Sequence, residues 1–201
     1  MSDQATERRA IRLVLRERRA GLDEDDQAAA SMAVMARLAR VPVLRSAGIV
    51  SGYRAVRGEI DIDASLILLA ESGSIVTVPR VVGDHLEFLP WDPESDATRG
   101  SFGIEEPIDG DPVPLFRHDV VLAPLVAFDH HGRRLGQGGG YYDRALGAIA
   151  PKHRPVVIGI AHSFQQVDSV PTEAWDVPLD AIVTEDDVLE FRPGALDPPI
   201  N

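Results

Sequence analysis

The chain has 201 residues, and its 20 basic against 32 acidic side chains give a formal charge of −12. This length is enough to bury a core without a metal or disulfide staple, and the absence of cysteine excludes thiolate zinc sites and cysteine nucleophiles. The negative charge disfavours nucleic acid and anionic membranes as partners. Because no stretch has the pattern of a membrane span or a signal peptide, we expect a cytoplasmic protein. We also expect a monomer.

The first predicted element is an arginine-rich helix near the N-terminus. Apolar residues at helical spacing give it one apolar edge, and an adjacent stripe carries four arginines: Arg8, Arg12, Arg16 and Arg19. This stripe is either a solvated face or a phosphate-binding edge. A transit peptide is disfavoured because three acidic residues lie in the same segment.

The rest of the chain alternates between helices and apolar strands. We predict helices over 27–39, 60–71 and 141–149, and strands over 47–53, 74–82, 85–91, 119–129, 155–161 and 181–184. Residues 92–118 are predicted as loop, 191–201 as a frayed C-terminal tail, and 1–190 as a single domain. The alternation indicates a three-layer α/β/α fold with a largely parallel sheet, in which 120–128 and 156–160 are buried central strands.

A glycine-rich loop connects the strand 119–129 to the helix that starts at Tyr141. Residues 132–144 read GRRLGQGGGYYDR. The glycines permit close backbone approach, and a turn of this kind that opens a helix offers free N–H groups to a phosphate. Arg133 and Arg134 add positive charge, and Asp143 can hold a magnesium ion that bridges phosphate oxygens. The loop matches neither a P-loop nor a dinucleotide fingerprint, and a purely structural turn is the alternative.

Several ordered motifs resemble the 5-formyltetrahydrofolate cyclo-ligase family, also called methenyltetrahydrofolate synthetases. The longest is P-x-x-A-F-D-x-x-G-x-R-L-G-x-G-x-G-Y-Y-D-R over 124–144. Shorter motifs are R-x-x-x-R at 8–12, G-E-I-D at 58–61, V-P-R at 78–80, F-G-I-E-E-P at 102–107 and V-P-x-E-x-x-D-V-P-L-D-A-I-V-T-E at 170–185. The resemblance implies a NagB/RpiA/CoA-transferase-like fold. It also implies ATP- and Mg²⁺-dependent cyclisation of 5-formyltetrahydrofolate, with or without a polyglutamate tail, to 5,10-methenyltetrahydrofolate, ADP and phosphate.

Carried over position by position, the resemblance implies two ATP-binding segments. The first comprises Arg8, Arg9, Ala10, Ile11 and Arg12, with Arg8 where the family usually has a lysine. The second comprises Arg134, Leu135, Gly136, Gln137, Gly138, Gly139, Gly140, Tyr141 and Tyr142. Some members carry basic residues at the positions of Gln137 and Gly139. We therefore expect Arg133, Arg134 and the N-terminal arginines to neutralise more of the phosphate charge here.

The resemblance also assigns folate and metal contacts. Substrate contacts fall on Arg54, Glu59, Gln137, Gly138, Gly139, Gly140 and Tyr141, and the magnesium positions are Asp143 and Asp176. A carboxylate such as Glu59 can accept two hydrogen bonds from the amino-pyrimidinone edge of a pterin, although it also fits as a charge at a helix N-terminus. Tyr141 can stack on a ligand ring or simply pack. Arg134 and Tyr141 are the predicted catalytic residues.

Two other classes of function stay open on sequence alone. A sugar-phosphate isomerase or CoA-transferase relative would share the sheet but needs a catalytic carboxylate and no ATP. A folate- or RNA-binding relative without catalysis is the second, but the charge of −12 disfavours RNA. The presence of both Asp143 and Asp176 disfavours a loss of catalysis.

Overall fold

The computed structural model describes residues 3–94, 97–100 and 103–198. In these ranges the α-helices are Asp3–Ala20 (α1), Glu24–Leu38 (α2), Pro42–Ser46 (α3), Asp63–Glu71 (α4) and Tyr141–Gly147 (α5). The strands are Ile49–Ser51 (β1), Ile75–Val82 (β2), His85–Pro90 (β3), Ala97–Arg99 (β4), Glu105–Pro107 (β5), Val120–Pro124 (β6), Ala127–Phe128 (β7), Arg134–Leu135 (β8), Val156–Ile160 (β9), Ala181–Val183 (β10) and Val188–Glu190 (β11). Phe102, the first residue of the 102–107 motif, lies outside the described residues.

A seven-stranded sheet with the order β11-β10-β9-β6-β1-β2-β3 forms the middle of the fold. The five inner strands run parallel, and the edge strands β3 and β11 pair antiparallel to their neighbours. β6 lies at the centre beside β9, with Leu122 opposite Ile158 in the register. The predicted largely parallel sheet with these two central strands is therefore confirmed.

The side chains of β6 alternate between the two faces of the sheet, as the two-residue period of a strand requires. Val120 and Leu122 belong to an apolar cluster that includes the buried faces of α2, α3 and α4. Val121 and Ala123 belong to a second cluster, which includes residues from α5 and from the 177–182 segment. Helices thus cover one face, and α5 with an extended segment covers the other, which gives the predicted three layers.

The segment 119–129 is not one strand, contrary to the prediction. Its pairing with β9 ends at Pro124, and Ala127–Phe128 pairs instead with Arg134–Leu135 as a separate two-stranded ribbon. Proline has no N–H to continue a ladder, so a break at this position is physically expected. The ribbon redirects the chain away from the sheet and presents the glycine-rich loop that follows β8.

Other boundaries also differ from the predictions. The predicted loop 92–118 contains the β4–β5 pair and a short 3-10 turn, which the proline and glycine content obscured. The predicted frayed tail is instead docked onto the domain at Ala195 and Leu196. Ala195 is buried, and the Leu196 carbonyl accepts a hydrogen bond from the Val43 N–H at 2.9 Å. None of the helices in the described ranges is long and apolar enough to cross a membrane.

Leu122 gives a direct test of the central core. Its side chain is fully buried in the middle strand, so Leu122→Ala leaves a cavity and should lower the free energy of unfolding by about 2–5 kcal/mol. The matched variant Leu68→Ala removes the same atoms from a side chain that is 46% exposed and should change stability by less than about 1 kcal/mol. Denaturant unfolding measures both, and equal effects would contradict this assignment of the core.

Candidate active site

The helix α1 docks its basic edge onto the glycine-rich loop. Arg12 Nε donates to the Gly136 carbonyl at 2.9 Å. Arg16 donates to the Gln137 carbonyl at 2.6 Å and to its side-chain oxygen Oε1 at 3.0 Å. Gly138 adopts φ +111°, a conformation that favours glycine, and a Cβ there would lie 3.7 Å from the Arg12 guanidinium. At Arg12 and Arg16, therefore, the stripe is not a solvated face.

Arg19 differs from the other arginines of the stripe. It is 1% exposed and donates to the carbonyls of Arg57 and Leu125 at 3.0 and 3.3 Å. Its guanidinium lies 3.5 Å from the Glu59 carboxylate. The prediction that Arg19 belongs to an outer phosphate-binding edge is wrong, because the helix turns this position into the interior.

The residues of the N-terminal segment predicted to bind ATP lie in different environments. Arg8 lies 3.3 Å from Asp176 and 5.9 Å from the centroid of the exposed Trp175 ring. Ile11 packs against a small apolar cluster, whereas Arg9 and Ala10 are exposed. In the second segment, Leu135 is fully buried and contributes to the same apolar cluster.

Arg134 connects the two predicted magnesium positions. It is only 6% exposed, donates to Asp143 Oδ1 at 2.6 Å and also donates to the Val177 carbonyl. Asp143 Oδ1 in turn accepts the Val177 N–H at 3.1 Å. Asp143 and Asp176 consequently line one cavity of about 430 Å³. This guanidinium therefore fixes the position of the Asp143 carboxylate.

The carboxylates in this cavity fit a cation. Asp176 Oδ2 accepts the Glu173 N–H at 2.9 Å, but the buried Oδ1 accepts no hydrogen bond from the part of the chain that the structure describes. Among those same residues, no three acidic or histidine side chains cluster as a metal site. Two carboxylates would therefore have to share the ion with phosphate oxygens and water, which is the usual arrangement for magnesium on nucleotides.

The guanidinium of Arg133 is paired with a buried carboxylate, contrary to the expectation that it neutralises phosphate. Its Nε donates to Asp129 Oδ2 at 2.6 Å, and Asp129 is fully buried. Burial alone would raise the pKa of Asp129, but hydrogen bonds from Val170, His131 and Arg133 outweigh it and lower that pKa. Asp129 and Arg133 thus form the base of the turn that carries the glycine-rich loop.

A second cavity, of about 360 Å³, is lined by the glycine-rich loop and shares Asp143 with the first. Glu59 lines it, and its carboxylate accepts the Val56 N–H at 3.2 Å and the Gln137 amide at 2.8 Å. Burial raises the pKa of Glu59. The charge of Arg19 and these hydrogen bonds lower the pKa but only partly offset the effect of burial. Glu59 is not a charge at a helix N-terminus, because α4 starts only at Asp63, whose N–H bonds to Asp61.

Aromatic and charged groups complete the lining of this second cavity. Arg54 pairs with Asp63 and Glu105 and lies 5.3 Å from the centroid of Trp91. Tyr141 and Tyr142 line the same wall, together with the loop residues Gly136, Gln137, Gly139 and Gly140. The Tyr142 hydroxyl is buried without a hydrogen-bond partner in the described residues, and burial raises its pKa.

Sequence reasoning missed one residue that shapes the loop, Arg144. It donates to the Gly139 carbonyl at 2.7 Å and, through Nε and Nη2, to the Asp84 carbonyl at 3.1 and 2.8 Å. Its guanidinium lies 5.0 Å from the centroid of the Tyr141 ring. Arg144 thus joins the turn between β2 and β3 to the loop. The motif contains this arginine, but nothing in the sequence indicates that it reaches back to Asp84.

The largely parallel sheet with helices on its faces defines an α/β protein in which two cavities meet at Asp143. The model of the 5-formyltetrahydrofolate cyclo-ligase family matches residues 4–185. The 5-formyltetrahydrofolate cyclo-ligase of Escherichia coli (strain K12) is 35% identical over 183 residues, which cover 89% of this chain and 100% of the relative. The Haemophilus influenzae protein of the same name is 36% identical over 177 residues, which cover 86% and 94%.

Solved structures agree with these relatives. The structure of Aquifex aeolicus 5,10-methenyltetrahydrofolate synthetase matches with a TM-score of 0.79 and 32% identity, covering 93% of this chain and 94% of that one. The corresponding protein of Mycoplasma pneumoniae matches with a TM-score of 0.73 and 25% identity, covering 89% and 98%. The chain belongs to the 5-formyltetrahydrofolate cyclo-ligase family and is a ligase, as its motifs predicted.

Asp129 provides a test of the base of the loop. Asp129→Asn removes a buried charge that several donors satisfy and should lower the free energy of unfolding at neutral pH by about 2–4 kcal/mol. Because the folded-state pKa is depressed, this contribution exists above the unfolded-state pKa and is lost as the pH falls through the folded-state pKa. Unfolding experiments across acidic pH should show the two proteins converging, whereas Asp168→Asn, at a neighbouring exposed position, should have little effect at any pH.

Proposed function

We propose that the protein uses ATP and Mg²⁺ to cyclise 5-formyltetrahydrofolate to 5,10-methenyltetrahydrofolate, with release of ADP and phosphate. The observation that carries the proposal is a pair of neighbouring cavities that share Asp143, one lined by the glycine-rich loop and the other by the start of α5 and residues 174–178. A reaction between a phosphate and a folate needs two neighbouring compartments of this kind. Family membership supplies the reaction class, and the two cavities support the proposal that each reactant binds in one of them.

The chemistry needs an activated oxygen. The formyl group of the substrate is an amide, and its oxygen is a poor leaving group. Attack of this oxygen on the γ-phosphorus of ATP forms the new O–P bond and releases ADP. N10 then attacks the formyl carbon and loses its proton, and the C–O bond breaks as phosphate leaves. The protein contributes positioning and charge neutralisation rather than a covalent intermediate.

Glu59 fits recognition of the pterin in the 360 Å³ cavity. A carboxylate accepts two hydrogen bonds from the amino-pyrimidinone edge, and the buried site strengthens such bonds. Tyr141 contributes an aromatic surface on the same wall, and Arg54 lies at the rim with Glu105. We assign Tyr141 to contact with the folate at the reacting end, next to the loop.

We assign Arg12 and the two aspartates to the nucleotide. Arg12 is bonded to a carbonyl, and no salt bridge joins it to a carboxylate within the described ranges, so its positive charge is available to a phosphate. Asp143 and Asp176 would hold the magnesium ion. When bound, the ion supplies charge neutralisation on the transferred phosphoryl group.

The activity assay tests the proposal as a whole. The purified protein is incubated with 5-formyltetrahydrofolate, and the absorbance of 5,10-methenyltetrahydrofolate is followed. We expect product only when ATP and Mg²⁺ are both present, with one ADP formed per product. Folate binding without turnover would favour a non-catalytic relative, and product formation that does not depend on ATP would contradict the proposal.

Arg12 tests the nucleotide side. A charge-assisted hydrogen bond contributes roughly 1.5–3 kcal/mol. Arg12→Ala should therefore raise the KM for ATP by about tenfold to a hundredfold and change the KM for the folate much less. The exposed Arg117 offers a matched control, Arg117→Ala, which should leave both constants unchanged. Melting curves verify that the variants are folded, and an unchanged ATP KM and kcat in Arg12→Ala would assign Arg12 to a purely structural contact.

Asp176 tests the metal. Asp176 is a better residue to substitute than Asp143, because its Oδ1 accepts no hydrogen bond from the described residues, whereas Asp143 also pairs with the buried Arg134. Asp176→Asn should weaken ATP binding by about tenfold or more when Mg²⁺ is present and change Mg²⁺-free ATP binding much less. Calorimetry with and without Mg²⁺ measures both values. Equal weakening in the two conditions would mean that Asp176 contributes to folding or to the loop and not to the ion.

A further inference from the structure

Each of the two cavities is lined by a residue with a buried polar atom that has no hydrogen-bond partner among the described residues. These atoms are Asp176 Oδ1 in the 430 Å³ cavity and the Tyr142 hydroxyl in the 360 Å³ cavity. Buried polar atoms in folded proteins are almost always hydrogen-bonded, so each exception needs a physical reason. The proposed magnesium ion is such a reason for Asp176, whereas nothing in the proposed function uses the Tyr142 hydroxyl.

Tyr53 and Thr77 show what a structural hydroxyl does in this fold. Tyr53 is buried, and its hydroxyl donates to the Ile60 carbonyl at 2.7 Å. Thr77 is also buried, and its hydroxyl lies 2.8 Å from His118 Nε2. A polar group that is buried without a partner lowers the stability of the folded state instead. Such a group at a candidate active site indicates a role in ligand binding.

Tyr142 belongs to the cavity that contains Glu59. It lies in the first turn of α5 and lines this cavity, but it does not line the cavity that contains Asp176. Burial and, to a smaller extent, the charge of Glu59 raise the pKa of Tyr142, so the two groups are close enough to interact electrostatically. The hydroxyl keeps its proton at neutral pH and can donate it to a ligand. This position favours contact with the folate over contact with the nucleotide.

The pyrimidinone ring of a pterin has three polar groups in a row along one edge. The 2-amino group and N3–H are donors, and the neighbouring C4 carbonyl is an acceptor. Glu59 can accept hydrogen bonds from the two donors, but a carboxylate cannot satisfy the carbonyl, which needs a donor. A neutral hydroxyl in the same cavity is a donor of the required kind. A site that hydrogen-bonds a polar group also rejects ligands that lack this group.

We propose that the Tyr142 hydroxyl donates a hydrogen bond to the C4 carbonyl of the pyrimidinone ring, next to the two N–H groups that Glu59 accepts. This inference rests on the proposed function and adds a residue that determines which heterocycle the cavity binds. It also gives the two adjacent tyrosines different roles, because Tyr141 contributes an aromatic surface and Tyr142 a hydrogen-bond donor.

Tyr142→Phe tests the contact, because it removes the hydroxyl and keeps the ring. Titration calorimetry measures the Kd of 5-formyltetrahydrofolate and, separately, the Kd of a non-hydrolysable ATP analogue with Mg²⁺. We expect Tyr142→Phe to weaken folate binding by about tenfold and to change nucleotide binding by less than about twofold. Unchanged folate binding, or an equal or larger loss for the nucleotide, would overturn the inference.

A second folate distinguishes the ring carbonyl from the formyl oxygen. 5-Methyltetrahydrofolate has the same pyrimidinone ring but carries a methyl group in place of the formyl group. We expect Tyr142→Phe to weaken the binding of this ligand by the same factor of about ten. If only 5-formyltetrahydrofolate binds more weakly to the variant, the hydroxyl contacts the formyl oxygen, and the assignment to the C4 carbonyl is wrong.

Melting curves test whether the hydroxyl has a structural role instead. Thr77→Val is the matched control, because it removes a buried hydroxyl that has a partner and lies outside both cavities. Thr77→Val should lower the Tm by about 2–8 °C and leave both Kd values unchanged. Tyr142→Phe should retain or raise the Tm. A decrease as large as that of Thr77→Val would mean that the hydroxyl is bonded within the protein and would contradict the inference.

The same titrations separate this inference from the proposed function. If the wild-type protein binds neither 5-formyltetrahydrofolate nor the Mg²⁺–nucleotide, the proposed function fails, and the role of Tyr142 fails with it. If the wild-type protein binds both ligands and forms product, but Tyr142→Phe retains the wild-type affinity for the folate, only the role of Tyr142 is overturned.

Discussion

The buried guanidinium of Arg134 holds together the parts of the chain that form the site. From the short strand β8, it reaches Asp143 at the start of α5 and the carbonyl of Val177 in a distant segment. A buried charge is tolerated only when it is paired and hydrogen-bonded, so the fold requires these partners to stay in place. One consequence is that Asp143 and Asp176 share a cavity although they are far apart in sequence.

The glycine-rich loop depends on this anchor at one end and on α1 at the other. Arg12 and Arg16 bind its carbonyls from one side, and Arg144 binds the Gly139 carbonyl from the other. These contacts fix the backbone of the loop, which lines the 360 Å³ cavity through Gly136, Gln137, Gly139 and Gly140.

The sequence predicted the central strands of the sheet well, because strands that are buried on both faces consist almost entirely of apolar residues. The strands β6 and β9 are apolar along their whole length, and no surface strand would be. The break at Pro124 and the three-residue strand β11 were missed because a single proline or a short edge segment carries little pattern.

The family resemblance assigned residues to the candidate site but did not predict their contacts. It assigned Glu59, Asp143 and Asp176 to one site, and the structure places Asp143 in both cavities, Glu59 in one and Asp176 in the other. Helical spacing placed Arg19 on the same stripe as Arg12, but spacing alone does not indicate which edge faces the core. From the sequence, Arg133 and Arg134 were both expected to neutralise phosphate. In the extended backbone, consecutive side chains point in opposite directions, so Arg133 pairs with Asp129 and Arg134 with Asp143.

We propose that the formyl oxygen and the γ-phosphate meet where a folate cavity and a nucleotide cavity share Asp143. A crystal structure with 5-formyltetrahydrofolate, Mg²⁺ and a non-hydrolysable ATP analogue tests this most directly. The account predicts the pterin against Glu59, the metal ion between Asp143 and Asp176, and the triphosphate next to Arg12. Both ligands in one cavity, or a metal ion that touches neither aspartate, would contradict it.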